Sequence, residues 1–331
     1  MEITVTPIDN NLTNCFIPVC VENVLSEYLN YKGYEYHYAF AYALDFQFDK
    51  AKCHTDRVAD GLNIGYCFTD WLEKIYGIRV QKISFASVNK LIEYIDDRLS
   101  DEEPVILHMD SYFLPWSTLY NQEHTSHMVI AVEVDRVANS IGIIDTIEKG
   151  YYYTVKKDIL KNACEYVWSV YLPDEPEVVD TYQFDMQTRD GKVELISQRR
   201  IEHLKEFTRV FALIFDPDIE FRNKNDLNLM KSEKLVDSIR KNILQINLFC
   251  NWLIWRDEQV FQPVIDIYFQ VMNKWNILVN LLYKNCLIGW KKSFNTTACD
   301  VLKQIIQLEE KARNEFRDCI GSESKKEVNY K

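Results

Sequence analysis

The sequence lacks most of the features that announce a function class outright. No apolar run approaches the roughly 20 residues that span a bilayer; the stretch from Trp275 to Tyr283 is broken by Asn276 and Asn280 and ended by Lys284. The start, MEITVTPIDNNLTNC, has no basic segment followed by an apolar one, so no signal peptide is expected. Basic residues are outnumbered, 38 Lys and Arg against 50 Asp and Glu, for a formal charge of −12. A chain that acidic repels phosphate backbones, so nucleic acid is not an expected partner. The nine cysteines (15, 20, 53, 67, 164, 250, 286, 299 and 319) are odd in number and contain no C-x-x-C pair. That argues against a zinc knuckle or a redox pair. His37, His54, Cys53 and Cys67 make no spacing that compels a metal, and neither a metal nor a cofactor is expected. No internal repeat is evident. These absences leave a soluble, cytoplasmic protein with no membrane partner as the expectation.

What is present divides in two. Apolar residues make up 47% of the chain, enough for a sizeable core in one large domain or two medium ones. Residues 1–172 mix short helices with strands. Val21, Val24, Leu25, Tyr28 and Leu29 recur at helical spacing, with Gly33 as a stop. Thr69 to Tyr76 reads as a second helix ended by Gly77, and Ser87 as the cap of a third carrying Val88, Leu91, Ile92, Ile95 and Leu99. After Pro104 the period changes. Val105 to Met109, His127 to Val134, Ser140 to Ile144 and Tyr166 to Leu172 read as strands. This half is α+β, an antiparallel sheet behind a first helix. Residues 173–192 hold two prolines and five acidic residues before Asp190 and read as a connection. Residues 193–320 are a helical bundle, with helices expected over Ile201–Phe215, Ser232–Trp255, Glu258–Leu287 and Thr297–Cys319. Residues 321–331 form a polar tail.

Three residues stand out for chemistry. Cys20 sits at the tip of the first helix, where free N–H groups and the helix dipole favour a thiolate. His127 opens one strand and Asp145 closes the next, SIGIIDT. If the two strands form a hairpin about Val137-Ala-Asn-Ser, imidazole and carboxylate become lateral neighbours, as a base and its orienting group require. A lone histidine at a strand start is usually structural; a His–Asp hairpin downstream of a helix-tip cysteine is the less common pattern. His124 falls in the loop and ranks second as base. Cys15, the rival nucleophile, has no helix directly after it. His108 reads as a core histidine.

The order of a helix-tip cysteine, then SVNKLIEYIDDRLSDEEPVILHMD, then a His-strand and a strand-Asp resembles the papain-like cysteine peptidases that process bacteriocins. The segment PVILHMDSYFLPWSTLYNQEHTSHMVIAVEVD is similar, more specifically, to the amino-terminal domain of the butirosin-biosynthesis acyltransferase family. That resemblance covers about residues 14–172. It implies a papain-like domain with Cys20, His127 and Asp145 as the catalytic set. Asn14 would serve as an oxyanion donor, six residues upstream of the cysteine, where glutamine is usual; a loop asparagine making a turn is the alternative. The implied activity is acyl transfer from a phosphopantetheine thioester on an acyl or peptidyl carrier protein to a small amine or diamine. The low-glycine, Asn/Lys/Ile-rich composition also resembles the amide synthases of polythioamide (closthioamide) biosynthesis. Asp110, Tyr112 and Trp116, in the loop after the Val105 strand and before His127, are candidates for the acyl or amine pocket, Asp110 as partner of a cationic amine. A solvated carboxylate with two packing aromatics is the alternative. The same triad cleaves peptides where water reaches the acyl-enzyme. A cysteine peptidase, or a catalytically silent ligand-binding protein on the same fold, therefore stays open.

Overall fold

Glycine punctuation sets the first helices. Gly33 (φ +73°) and Gly77 (φ +68°) adopt the left-handed backbone that ends a helix without a Cβ penalty. In the computed structural model, which describes residues 20–53, 56–146, 151–173, 186–222, 225–291 and 293–328, the elements run as follows. They begin with α1 (Cys20–Tyr31), α2 (His37–Phe40), β1 (Phe46–Phe48), β2 (Leu62–Ile64), α3 (Phe68–Tyr76) and β3 (Arg79–Ile83). Next come α4 (Val88–Ser100), β4 (Val105–Asp110), β5 (Ser126–Asp135), β6 (Ser140–Asp145), β7 (Tyr151–Lys156), α5 (Lys157–Ala163) and β8 (Cys164–Tyr171). Five helices finish the chain: α6 (Met186–Ile214), α7 (Pro217–Glu220), α8 (Leu227–Met230), α9 (Lys234–Ile288) and α10 (Phe294–Val328). The chain is α+β with antiparallel sheets and a helical carboxyl-terminal region.

Two compact units result, and they interleave. Described residues within 20–36 and 68–173 form the first; those within 37–67 and 186–328 form the second. The sequence places 37–67 with the α+β half, whereas the structure gives it to the helical unit. The reason is apolar: β1 and β2 form a two-stranded hairpin, and its Phe46 and Phe48 rings pack edge-on against Phe207 of α6, with Phe46 also against Trp275 of α9.

The first unit is a six-stranded sheet of order β3-β8-β4-β5-β6-β7, antiparallel at every pairing. Its strands alternate as a period of two requires. Leu107, Met109, Val129, Ala131, Ile141, Ile143 and Val167 pack with Leu91 and Ile95 of α4 and Leu160 of α5. Ser87 caps α4, its Oγ accepting from Lys90 N. Helix α1, with Val24, Leu25 and Leu29 fully buried, packs on β5. Strands β3 and β7 are edge additions that the sequence reading leaves unassigned.

In the second unit α6, α9 and α10 pack together. Residues 186–192, expected as part of the connection, are helical instead. Asp190 is buried and held by both terminal nitrogens of Arg256, at 2.5 and 3.1 Å, which ties the start of α6 to α9. Helix α9 is interrupted at Asp257 (φ −169°, ψ 96°). Its carboxylate accepts the Val260 N–H at 3.1 Å, capping the continuation. The expected break between Trp255 and Glu258 falls on this residue. At the other end α10 continues to Val328, into the segment expected as tail.

Candidate active site

Because β5 and β6 are antiparallel neighbours with Ile130 opposite Ile144, the start of one strand and the end of the other share an edge of the sheet. His127 and Asp145 meet there. Nε2 of His127 lies 2.7 Å from Oδ2 of Asp145. The same oxygen accepts the indole N–H of Trp116 at 2.9 Å. Trp116 is itself fixed by stacking on Tyr153 of β7, ring centroids 4.4 Å apart at 11°. Asp145 is 1% exposed. A carboxylate so buried needs such donors, since an unpaired one would be driven to its neutral form. The aspartate therefore orients the imidazole through Nε2, and Nδ1 makes no hydrogen bond among the described residues.

Cys20 is the first residue of α1 and is buried. The backbone amides of Met128, Val21 and Cys20 itself favour the charged sulfur, and Met128 directly follows His127. Burial dominates all the same: desolvation first, then the Glu22 carboxylate, push the thiol up to about 11. This corrects the expectation from the helix tip alone. Dipole and amides act in the expected direction, but a sulfur shut away from water loses more by ionising than they return. Glu22 shares the environment, its carboxyl pushed up to about 7 by desolvation. Among the described residues no hydrogen bond joins Cys20 to His127. The sulfur reaches the amide next to the histidine, not the ring.

The loop after β4 builds a second cluster. Asp110 Oδ1 accepts the Tyr112 N–H at 3.0 Å, capping the 3₁₀ turn Ser111–Phe113. Its Oδ2 lies 2.6 Å from Nδ1 of His124, and the His124 ring stacks on Tyr112 at 4.2 Å. Desolvation works to raise this carboxyl, but the His124 and amide hydrogen bonds outweigh it and hold it below the ordinary carboxylate range. Both Asp110 oxygens are thus engaged within the protein. Of the three expected pocket residues, Asp110 and Tyr112 belong with His124, while Trp116 belongs with Asp145. That role was hidden in the sequence because Trp116 and Tyr153 meet only through the edge pairing of β7. Asn14 and Cys15 lie outside the described residues.

A cavity of about 490 Å³ lined by Glu93, Asp96, Asp97, Asp135 and Arg136 contains none of the expected catalytic residues. Among the described residues no group of three or more His, Cys, Asp or Glu side chains could hold a metal. No described helix is long and apolar enough to cross a membrane.

Residues 19–146 match the family model described as butirosin biosynthesis protein H, N-terminal. The matched segment contains Cys20, His127 and Asp145 and spans well under half of the chain. No curated protein matches it.

Proposed function

We propose that this chain is an acyltransferase of butirosin-H type, with a papain-like first unit and Cys20 as the residue that carries the acyl group. One observation bears most of this reading. Within the segment similar to that family, an imidazole is locked by a buried carboxylate, while the amide beside it meets a helix-tip sulfur.

The chemistry proceeds in two exchanges. Cys20 rests as the thiol, so its proton passes to Nδ1 of His127 as sulfur attacks the thioester carbonyl. A new C–S bond forms, the bond to the pantetheine sulfur breaks, and that sulfur leaves with the proton from His127. An amine then attacks the acyl-enzyme, gives a proton to His127, and displaces Cys20 as its thiol. The product is an amide, reached downhill from a thioester. Asp145 stabilises the imidazolium formed in both exchanges, and Trp116 holds Asp145. Asn14 is the proposed oxyanion donor. Substrate binding must bring Nδ1 and sulfur together, because catalytic hydrogen bonds tighten in the complex. The donor in this reading is a carrier-protein thioester and the acceptor a small amine or diamine. The likeness to polythioamide synthases rests on composition, so no acyl chain is specified.

Intact-protein mass spectrometry with an acyl-carrier thioester tests the proposal. The wild type should gain the mass of one acyl group and pass it to an added amine, and Cys20→Ala should gain none. An adduct that persists in Cys20→Ala overturns the assignment, and peptide hydrolysis without any amide product would favour a peptidase.

A further inference from the structure

On the sheet, Ser126 stands beside His127 but belongs to different company. Successive side chains of a strand point to opposite faces, and while His127 turns to Asp145, Ser126 turns to β4. Its Oγ lies 2.6 Å from Nε2 of His108. The other ring nitrogen, Nδ1, lies 3.2 Å from Oε2 of Glu165, within ion-pair range though not aligned as a hydrogen bond. The ring is fixed from the side as well, stacked on Tyr166 at 4.1 Å and 13°. Lys82 Nζ stands 4.6 Å from the Tyr166 ring centroid.

The backbone supplies an independent sign that this grouping is built. His108 pairs with Tyr166 and Met109 with Cys164, so Glu165 is an extra residue opposed by none, a β-bulge in β8. A bulge re-aims one side chain at the expense of a ladder position, and such features concentrate beside active sites. Here the side chain that the bulge frees is the carboxylate facing His108. Regular pairing along β8 would alternate it away from the imidazole. Serine, imidazole and carboxylate thus stand in the sequence of a nucleophile, its base and the group that orients the base. The serine is exposed and the histidine buried.

We propose that Ser126 is a second nucleophile, activated by His108 and oriented through Glu165, which accepts acyl groups from activated esters and thioesters. With Nδ1 protonated toward Glu165, Nε2 takes the hydroxyl proton as Oγ attacks the carbonyl. The Oγ–C bond forms, the bond from carbonyl carbon to the leaving oxygen or sulfur breaks, and the leaving group departs with the proton from His108. Water then attacks the serine ester, loses a proton to His108, and releases the acid together with the free Ser126 hydroxyl. The proposal stands apart from Cys20, since none of its three residues belongs to the set assigned above.

A fluorophosphonate probe followed by peptide mass spectrometry tests it, with p-nitrophenyl acetate turnover as the second readout. The probe should modify Ser126 in the wild type and in Cys20→Ala, but leave that peptide unmodified in Ser126→Ala. His108→Gln should slow labelling by roughly 10²-fold or more. Glu165→Gln, an exposed change that leaves the core intact, should slow it by about tenfold, less than a buried orienting carboxylate would give. It should also move the pH midpoint of labelling downward, because burial holds the His108 imidazole below its ordinary range and Glu165, with Asp110 on its side, supports the imidazolium against that burial and against Lys82 and His127. A purely packing role for Glu165 would leave that midpoint where it was. Absence of an adduct on Ser126 in the wild type, or equal labelling in His108→Gln, overturns the proposal.

Discussion

The sharpest prediction concerns when Cys20 ionises. Its thiol is pushed up to about 11 from an ordinary 9.0. Two pH units correspond to about 2.7 kcal/mol of preference for the neutral form. At pH 8 the folded protein then holds roughly 0.1% of this cysteine as thiolate, against roughly 9% for an ordinary thiol. Alkylation requires the thiolate, so iodoacetamide should modify Cys20 about 90-fold more slowly than in the unfolded chain on this ground alone. Limited access slows it further, which makes the shape of the pH profile the better measure. Following the Cys20 peptide by mass spectrometry from pH 6 to 10.5, the logarithm of the rate should climb with unit slope and show no plateau below about pH 10. Replacing His127 by Ala should leave that profile unchanged, since no hydrogen bond joins the ring to the sulfur, yet it should abolish acylation by a thioester. A plateau already present near pH 6, lost in His127→Ala, would mean a preformed thiolate–imidazolium pair and would refute the reasoning.

Three further outcomes follow from the geometry. Trp116→Phe keeps the stack on Tyr153 but removes a donor to a buried carboxylate. Urea unfolding should show a loss of about 1–3 kcal/mol, and an unchanged midpoint would show the bond to be idle. Glu22→Gln should stabilise the protein at pH 8 and leave it unchanged at pH 4. The folded carboxyl sits near 7 against 4.5 unfolded, so whatever it contributes is complete below 4.5 and is lost as the pH rises through 7. Equal effects at both pH values would contradict a Glu22 carboxyl raised by its surroundings in the folded protein. In the helical unit Arg200 Nε meets Glu309 Oε1 at 2.8 Å with both side chains almost wholly enclosed. Glu309→Ala should therefore cost about 3–5 kcal/mol in chemical denaturation, while the pair Arg200→Met with Glu309→Leu should come out near neutral. A double variant as unstable as the single one would argue that the charges themselves hold the helices.

Legibility followed the range of the interactions. The caps at Ser87 and the stops at Gly33 and Gly77 are local, and the sequence marks all three. The hairpin of β5 and β6 is joined by a short turn, so the pairing and the His127–Asp145 meeting could be anticipated from chain order, although the bulge between Ala131 and Glu133 that shifts its register could not. Strand β7 could not. YYYTVK carries no strict alternation and is an edge, and with it went Tyr153 and the true role of Trp116. The position of 37–67 was equally hidden, because Phe46 and Phe48 find their partners on α6 and α9 about 160 and 230 residues along the chain. The Cys20 thiol fails for another reason. A helix tip is visible in sequence, whereas the dryness of its surroundings is a property of the fold.

That interleaving limits how the protein can be divided. The chain leaves the sheet unit after Tyr36 and re-enters at Phe68, and the excursion is anchored at its far end. Glu220, almost wholly buried, accepts the amides of Val58 at 2.7 Å and Ala59 at 3.0 Å, while Arg57 donates to the Glu220 carbonyl. A fragment cut in the stretch that looks like a linker would carry the excursion away from those carboxylate and carbonyl acceptors, with two phenylalanines stripped of their cover. Excising a working half for engineering would call for a graft across 36 and 68, and shuffling of the two halves between related genes would meet the same obstacle.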